Sequence, residues 1–262
     1  MKYFFTTVWA IICVVVLFYG HSYWSQRTAV KAETDQQINY SVTPETAKTN
    51  EPNVDEILAK AQNWPEPARQ QFQQSVQQNK PFKILFVGST ALGTKDQGML
   101  KDVVQQLTES YGKDHIEISV HTYDVTSKEF LGNNDQQEIA AEKAQLIVFE
   151  PFLLNDNGKV AIGDSLNNLT KVIEEEKAAT PETTFVLQPS YPLFGAKFYP
   201  GQVAKLKQYA DQNKLAYLDH WTAWPDSANA KLKDYLLPDQ SGPSEKGIQV
   251  WSQYLINYLI HK

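Results

Sequence analysis

From Lys83 to the C-terminus, short apolar runs alternate with longer amphipathic ones, and no other feature constrains the fold as strongly. The short runs lie at 83–87, 116–121, 145–150, 183–188 and 215–218 and read as buried strands. The longer ones lie at 97–111, about 135–143, 163–178, 200–213 and 244–260 and read as helices. Strands separated by helices form βαβ units, and βαβ units form parallel sheets. The expected class is α/β, a three-layer α/β/α sandwich around a five-stranded parallel sheet.

Within the first unit, Lys83-Ile-Leu-Phe-Val87 is followed by Gly88, Ser89, Thr90 and Gly93. A helix then carries Met99, Leu100, Val103, Val104 and Leu107 on one face. Gly88 is expected to break the strand and to leave two hydroxyls at its carboxyl end. Open α/β sheets bind ligands at that edge. The other reading is a tight turn in which Gly supplies backbone freedom and Ser or Thr caps the helix.

Ahead of this region the chain changes character twice. Tyr3 to Tyr19 holds no charge and is close to the shortest run that spans a bilayer. A cleaved signal peptide would need small residues near its end, which Phe18-Tyr-Gly-His21 supplies poorly. A lipoprotein signal would need Cys13 at the end of the run, and more apolar chain follows it. An uncleaved anchor over 1–24 is the expectation, with Tyr19, Tyr23 and Trp24 at the interface. Residues 25–53 read as a disordered linker, 54–80 as a helical lead-in and 81–262 as the main domain. This layout implies a single-pass protein of the cell membrane with its C-terminal domain extracellular. The net charge of -6 offers no basic footprint, so nucleic acid is excluded as a partner. Cys13 is the one cysteine, so no intrachain disulfide forms.

Two more polar stretches fall near the same sheet edge. Strand 145–150 leads into Pro151-Phe-Leu-Leu-Asn155-Asp156-Asn157-Gly158, where the Asn155 amide would donate to an oxyanion or close an Asx turn. Leu237-Pro-Asp239-Gln-Ser-Gly242-Pro243 precedes the last helix, and Asp239 would orient a base or serve as a turn residue. Taken together, Gly88-Ser89-Thr90, Asn155-Asp156 and Asp239-Gln-Ser-Gly242-Pro243 resemble the blocks of the SGNH/GDSL hydrolases. The likeness runs over some two-thirds of the chain, including Glu245-Lys-Gly247 and Trp251. It implies a flavodoxin-like sandwich and a serine esterase or lipase-like hydrolase acting on O-acyl groups of a glycan or lipid. It also implies Ser89 as nucleophile, Asn155 and the Ser89 N–H as oxyanion donors, and Asp239 as partner of the base. Gly88, Thr90 and Asp156 would line the site. No metal or cofactor is implied.

The chain departs from that pattern. Gly242 stands where the family has its histidine, and Leu153 stands where the third block has glycine. Strict alignment from Gly88 places Thr90, not Ser89, at the nucleophile. Gly163-Asp164-Ser165-Leu166 spells the family signature, but it follows the Asn155 block and reads as the start of a helix. His220, ending the fifth strand in Tyr217-Leu-Asp219-His220-Trp221, is the substitute base to test, against the reading of a structural histidine. The histidines make no metal-ligand spacing, and Gly88-x4-Gly93 lacks the Lys-Ser/Thr of a phosphate loop. Tyr191, Phe194, Phe198, Tyr199, Trp221 and Trp224 would form either a sugar-stacking rim or lids over the core. Two functions follow: a membrane-tethered esterase, or a catalytically lapsed SGNH domain that binds a glycan or an envelope-assembly partner.

Overall fold

The computed structural model describes residues 54–261. The expected anchor and linker lie outside these residues. Among the described residues no helix is long and apolar enough to cross a membrane. Helices α1 (Val54–Lys60) and α2 (Glu66–Gln77) precede β1 (Phe82–Ser89), α3 (Met99–Tyr111) and β2 (Ile116–Tyr123). Next come α4 (Ser127–Gly132), α5 (Gln136–Glu142), β3 (Leu146–Phe149), α6 (Leu153–Asp156) and α7 (Ile162–Ala179). The chain closes with β4 (Thr184–Leu187), α8 (Tyr199–Gln212), β5 (Ala216–Tyr217) and α9 (Glu245–Leu259).

The five strands form one sheet in the order β2-β1-β3-β4-β5, and every pairing is parallel. Side chains alternate between its faces. Phe82, Ile84, Phe86, Leu146, Val148 and Val186 face a layer built from α1, α2, α3 and α9. Leu85, Val87, Ile147, Phe149, Phe185 and Leu187 face a layer built from α4, α5, α7 and α8. The α/β/α sandwich and its parallel sheet agree with the periodicity of the sequence. Register places Val87 beside Phe149, Phe149 beside Leu187 and Leu187 beside Tyr217, so the carboxyl ends of four strands are level. The chain leaves β1 towards β2 on one side and returns to β3 on the other, which opens a crevice at that edge.

One expectation changes. Gly88 does not end the first strand, since pairing continues through Ser89 opposite Tyr123. The helical lead-in packs onto the same core. Trp64 lies 5.2 Å from Phe72, 5.4 Å from Phe82 and 5.5 Å from Tyr111, ring centre to ring centre. Its Nε1 donates to the Leu259 carbonyl at 2.8 Å, so the lead-in closes the same core as the last helix. Gly163 to Leu166 lies in the first turn of α7, as its position suggests, with the Ser165 hydroxyl turned back to the Ala161 carbonyl at 3.3 Å.

Candidate functional site

Ser89 ends β1 and is 2% exposed. Its backbone N–H donates to Glu150 Oε2 at 2.7 Å. Its hydroxyl lies beside the same carboxyl but makes no hydrogen bond of good geometry. Glu150 directly follows β3, and its own N–H donates to the Val87 carbonyl at 2.8 Å. Burial pushes its carboxyl up to about 7, opposed by the Ser89 contacts and reinforced by the Asp156 charge. Oε1 of Glu150 has no partner. Gly88 makes this approach possible, because a Cβ there would stand 2.7 Å from the Glu150 Cβ and 2.7 Å from Leu92 Cδ1. Thr90 opens a 3-10 turn, Thr90–Leu92, and is exposed.

Glu150 is the residue that sequence reasoning passed over. The available signal was a carboxylate closing the apolar run Leu146–Phe149 at the ligand-binding edge. Gln188 and Ser190 follow β4 and are also fully buried. Gln188 Oε1 accepts the Trp251 indole N–H at 3.0 Å, while its Nε2, the Ser190 hydroxyl and the Tyr199 hydroxyl are unpartnered. Each such group costs about 1–3 kcal/mol when buried unpaired. Their concentration at one edge marks a place where the fold gives up stability.

His220 is fully buried after β5. Its Nε2–H donates to the Pro189 carbonyl at 2.9 Å, and its Nδ1 accepts the Trp224 indole N–H at 3.1 Å. That pairing defines the neutral tautomer. The ring stacks on Trp251 with centroids 4.8 Å apart. Burial pulls its pKa down to about 4. Neither nitrogen is left for a serine proton, so the substitute-base expectation gives way to the structural one. Asp219, its neighbour, pairs with Lys207 at 2.7 Å.

The other expected residues also have local partners. Asn155, in α6, donates its amide to the Val125 carbonyl at 3.0 Å. Asp156 is buried and accepts both the N–H and the hydroxyl of Ser127, each at 2.7 Å. Together they tie the segment after β2 to the segment after β3. Asp239 lies exposed in the hairpin closed by the Leu236–Pro243 bridge. It accepts the Ser241 hydroxyl at 2.7 Å and the Ser241 N–H at 3.0 Å, contacts that hold its carboxyl below the usual range. Asn155 and His220 spend their polar atoms on scaffold contacts, and Asp239 Oδ1 is held by Ser241.

No protein-family model matches the sequence, and no curated protein matches it. Solved structures do match. A protein assigned as a GDSL-like lipase from Parabacteroides merdae superposes with a TM-score of 0.57 at 13% identity, covering 69% of this chain and 96% of that one. The acetylxylan esterase of Geobacillus stearothermophilus gives 0.55 at 15% identity, covering 68% and 94%. A protein assigned to the lipolytic G-D-S-L family from Desulfitobacterium hafniense gives 0.54 at 16%, covering 67% and 98%.

The chain has the SGNH/GDSL hydrolase fold.

Within the SGNH fold, Ser89 belongs to the strand and is buried, whereas Thr90 starts the turn and faces solvent. Gly242 is buried in the hairpin, with its carbonyl accepting the Leu237 N–H at 2.9 Å. Of the other described histidines, His121 binds Glu142 at 2.8 Å from the edge strand β2. Among the described residues no group of His, Cys, Asp and Glu is placed to hold a metal ion. The late aromatics divide between the two expected roles. Tyr191, Tyr199 and Trp224 are buried lids, Phe194 and Trp221 are half-buried, and Phe198 is 78% exposed.

Proposed function

We propose that this chain is an SGNH-fold binding protein that recognises an acylated glycan or lipid without hydrolysing it by the serine–histidine route. The observation that carries this reading is the engagement of both His220 ring nitrogens. A serine hydroxyl needs a base within hydrogen-bond reach to attack an ester. The contact of Glu150 with the Ser89 N–H supports the same reading. A carboxylate on that amide occupies a donor that acyl transfer would use for its oxyanion, and repels the charge that develops there. The apolar run 3–19 supports a membrane-anchored location with the domain outside the cell.

A second reading rests on a specific observation of its own. The unpartnered Ser89 hydroxyl lies beside a carboxyl held at about 7, a value suited to a general base near neutrality. Under that reading the chain is an SGNH-type esterase with Glu150 in place of the histidine. Turnover of p-nitrophenyl acetate by the purified chain separates the two. The binding reading predicts a rate equal to that of the Ser89→Ala variant. Turnover that disappears in Ser89→Ala and in Glu150→Gln establishes the esterase instead.

A further inference from the structure

The segments after β3 and β4 and the Leu236–Pro243 hairpin border a shallow, open cleft of about 350 Å³, lined by Asn157, Phe194, Lys197, Phe198, Asp239 and Gln240. Ser89 is not among its walls. The described residues leave three large apolar side chains exposed, Val54, Phe198 and Leu237, and the last two belong to the segments that build this cleft. Phe198 is the most exposed of them, at 78%, although it adjoins the fully buried Tyr199.

The walls are held in place. The Phe194 N–H donates to Gln240 Oε1 at 2.8 Å, the Tyr191 hydroxyl donates to the Gln240 carbonyl at 3.1 Å, and the Gly195 N–H donates to the Ser227 carbonyl at 2.9 Å. Lys233 Nζ sits 4.5 Å above the Phe194 ring. The groups that line the opening are left over from this bracing. The Asn157 side-chain amide, Gln240 Nε2 and Asp239 Oδ2 take part in no hydrogen bond among the described residues. The Ser241 contacts hold the Asp239 carboxyl below the usual range, so it is ionised at neutral pH.

We infer that this cleft binds a pyranose ring of a neutral glycan, with Phe198 as the stacking platform. A sugar ring presents an apolar C–H face and a rim of vicinal hydroxyls. The cleft offers one exposed aromatic face, a carboxylate acceptor and two amide donors, the mixture that orients such a ligand. A lipid chain is disfavoured because it would strip water from Asp239 and both amides without replacing their hydrogen bonds. A phosphate is disfavoured because one lysine, Lys197, stands against one carboxylate in the lining.

This inference rests on the binding reading and names the ligand class for it. The test is calorimetric titration of the full chain with xylohexaose, cellohexaose and chitohexaose, each to about 10 mM. At least one is expected to bind, and Phe198→Ala is expected to weaken it by about tenfold or more, as loss of an aromatic anchor does. Because Phe198 is exposed, its replacement leaves the thermal melt unchanged. Asp239→Asn weakens binding independently. Heat from none of the three sugars, or equal binding by Phe198→Ala, overturns the inference. Ester turnover by the same preparation would overturn the binding-only function while leaving the sugar titration to be judged by itself.

Discussion

Glu150 Oε2 accepts the Ser89 backbone N–H at 2.7 Å, and both residues are buried where adjacent strands β1 and β3 end. This contact joins the serine the family resemblance singles out to a carboxylate it does not include. It fixes the end of β1 through a main-chain donor and leaves the second carboxyl oxygen unpaired. The Ser89 amide at this edge is thus taken up by the protein's own carboxyl group.

The Glu150 carboxyl confers a definite pH dependence on stability. Its folded value is raised from 4.5 to about 7, so the folded chain binds the proton more tightly than the unfolded one. The stabilisation is complete below the unfolded value and is lost as pH rises through about 7. Glu150→Gln cannot ionise yet keeps an oxygen for the Ser89 N–H. Urea melts should show wild type falling behind this variant between pH 5 and 8, by up to about 3 kcal/mol. Parallel stability curves would contradict the assignment. Glu176, buried in α7 and also pushed up to about 7 with both oxygens unpartnered, predicts the same trend for Glu176→Gln.

His220→Ala should lower stability by about 3–5 kcal/mol, since it removes a packed ring and strands the Pro189 carbonyl and the Trp224 N–H. The pH signature has the opposite sign to that of Glu150. A histidine whose value falls from 6.5 to about 4 loses its stabilising effect as pH drops through that interval. A thermal melt unchanged by the substitution would show that the ring is not structural.

Gly88→Ala introduces a Cβ 2.7 Å from the Glu150 Cβ and 3.0 Å from the Glu150 carbonyl oxygen. Both belong to a fully buried residue that directly follows the neighbouring strand β3. The expected loss is about 1–3 kcal/mol by chemical denaturation. No loss would mean that β1 and β3 are less closely apposed than described.

Trp64→Ala tests whether α1 and α2 belong to the domain. The indole contacts Phe72, Phe82 and Tyr111 and is tied to Leu259, so its removal should cost about 3–5 kcal/mol in one cooperative transition. A small loss with an unchanged midpoint for the rest of the chain would return these helices to the role of an appendage.

The sheet was legible because its central strands β1, β3 and β4 are apolar on both faces, and an apolar strand between two helices has few other places to go. Ser89 was legible for the same reason, as the first hydroxyl after the apolar run of such a strand. The roles of Asn155, Asp239 and His220 were not. Each depends on partners distant in sequence: Val125 for the Asn155 amide, and Pro189 and Trp224 for the imidazole. Asp239 has a near partner, Ser241, but short polar side chains in turns satisfy themselves locally, and composition does not distinguish that from catalysis. Trp64-Pro65 reads as an interruption between two helical stretches, and the interruption obscured that Ile57, Trp64 and Phe72 all face one core.

The most direct test is the reactivity of the hydroxyls at the end of β1 towards a fluorophosphonate. Attack by an activated serine or threonine oxygen on phosphorus expels fluoride and leaves a stable adduct, visible in the intact mass without any turnover. With both His220 nitrogens engaged, and with Glu150 on the Ser89 amide, the chain is predicted to keep its unmodified mass. A stoichiometric adduct mapped to Ser89 or Thr90, absent from the corresponding alanine variant, would contradict the account.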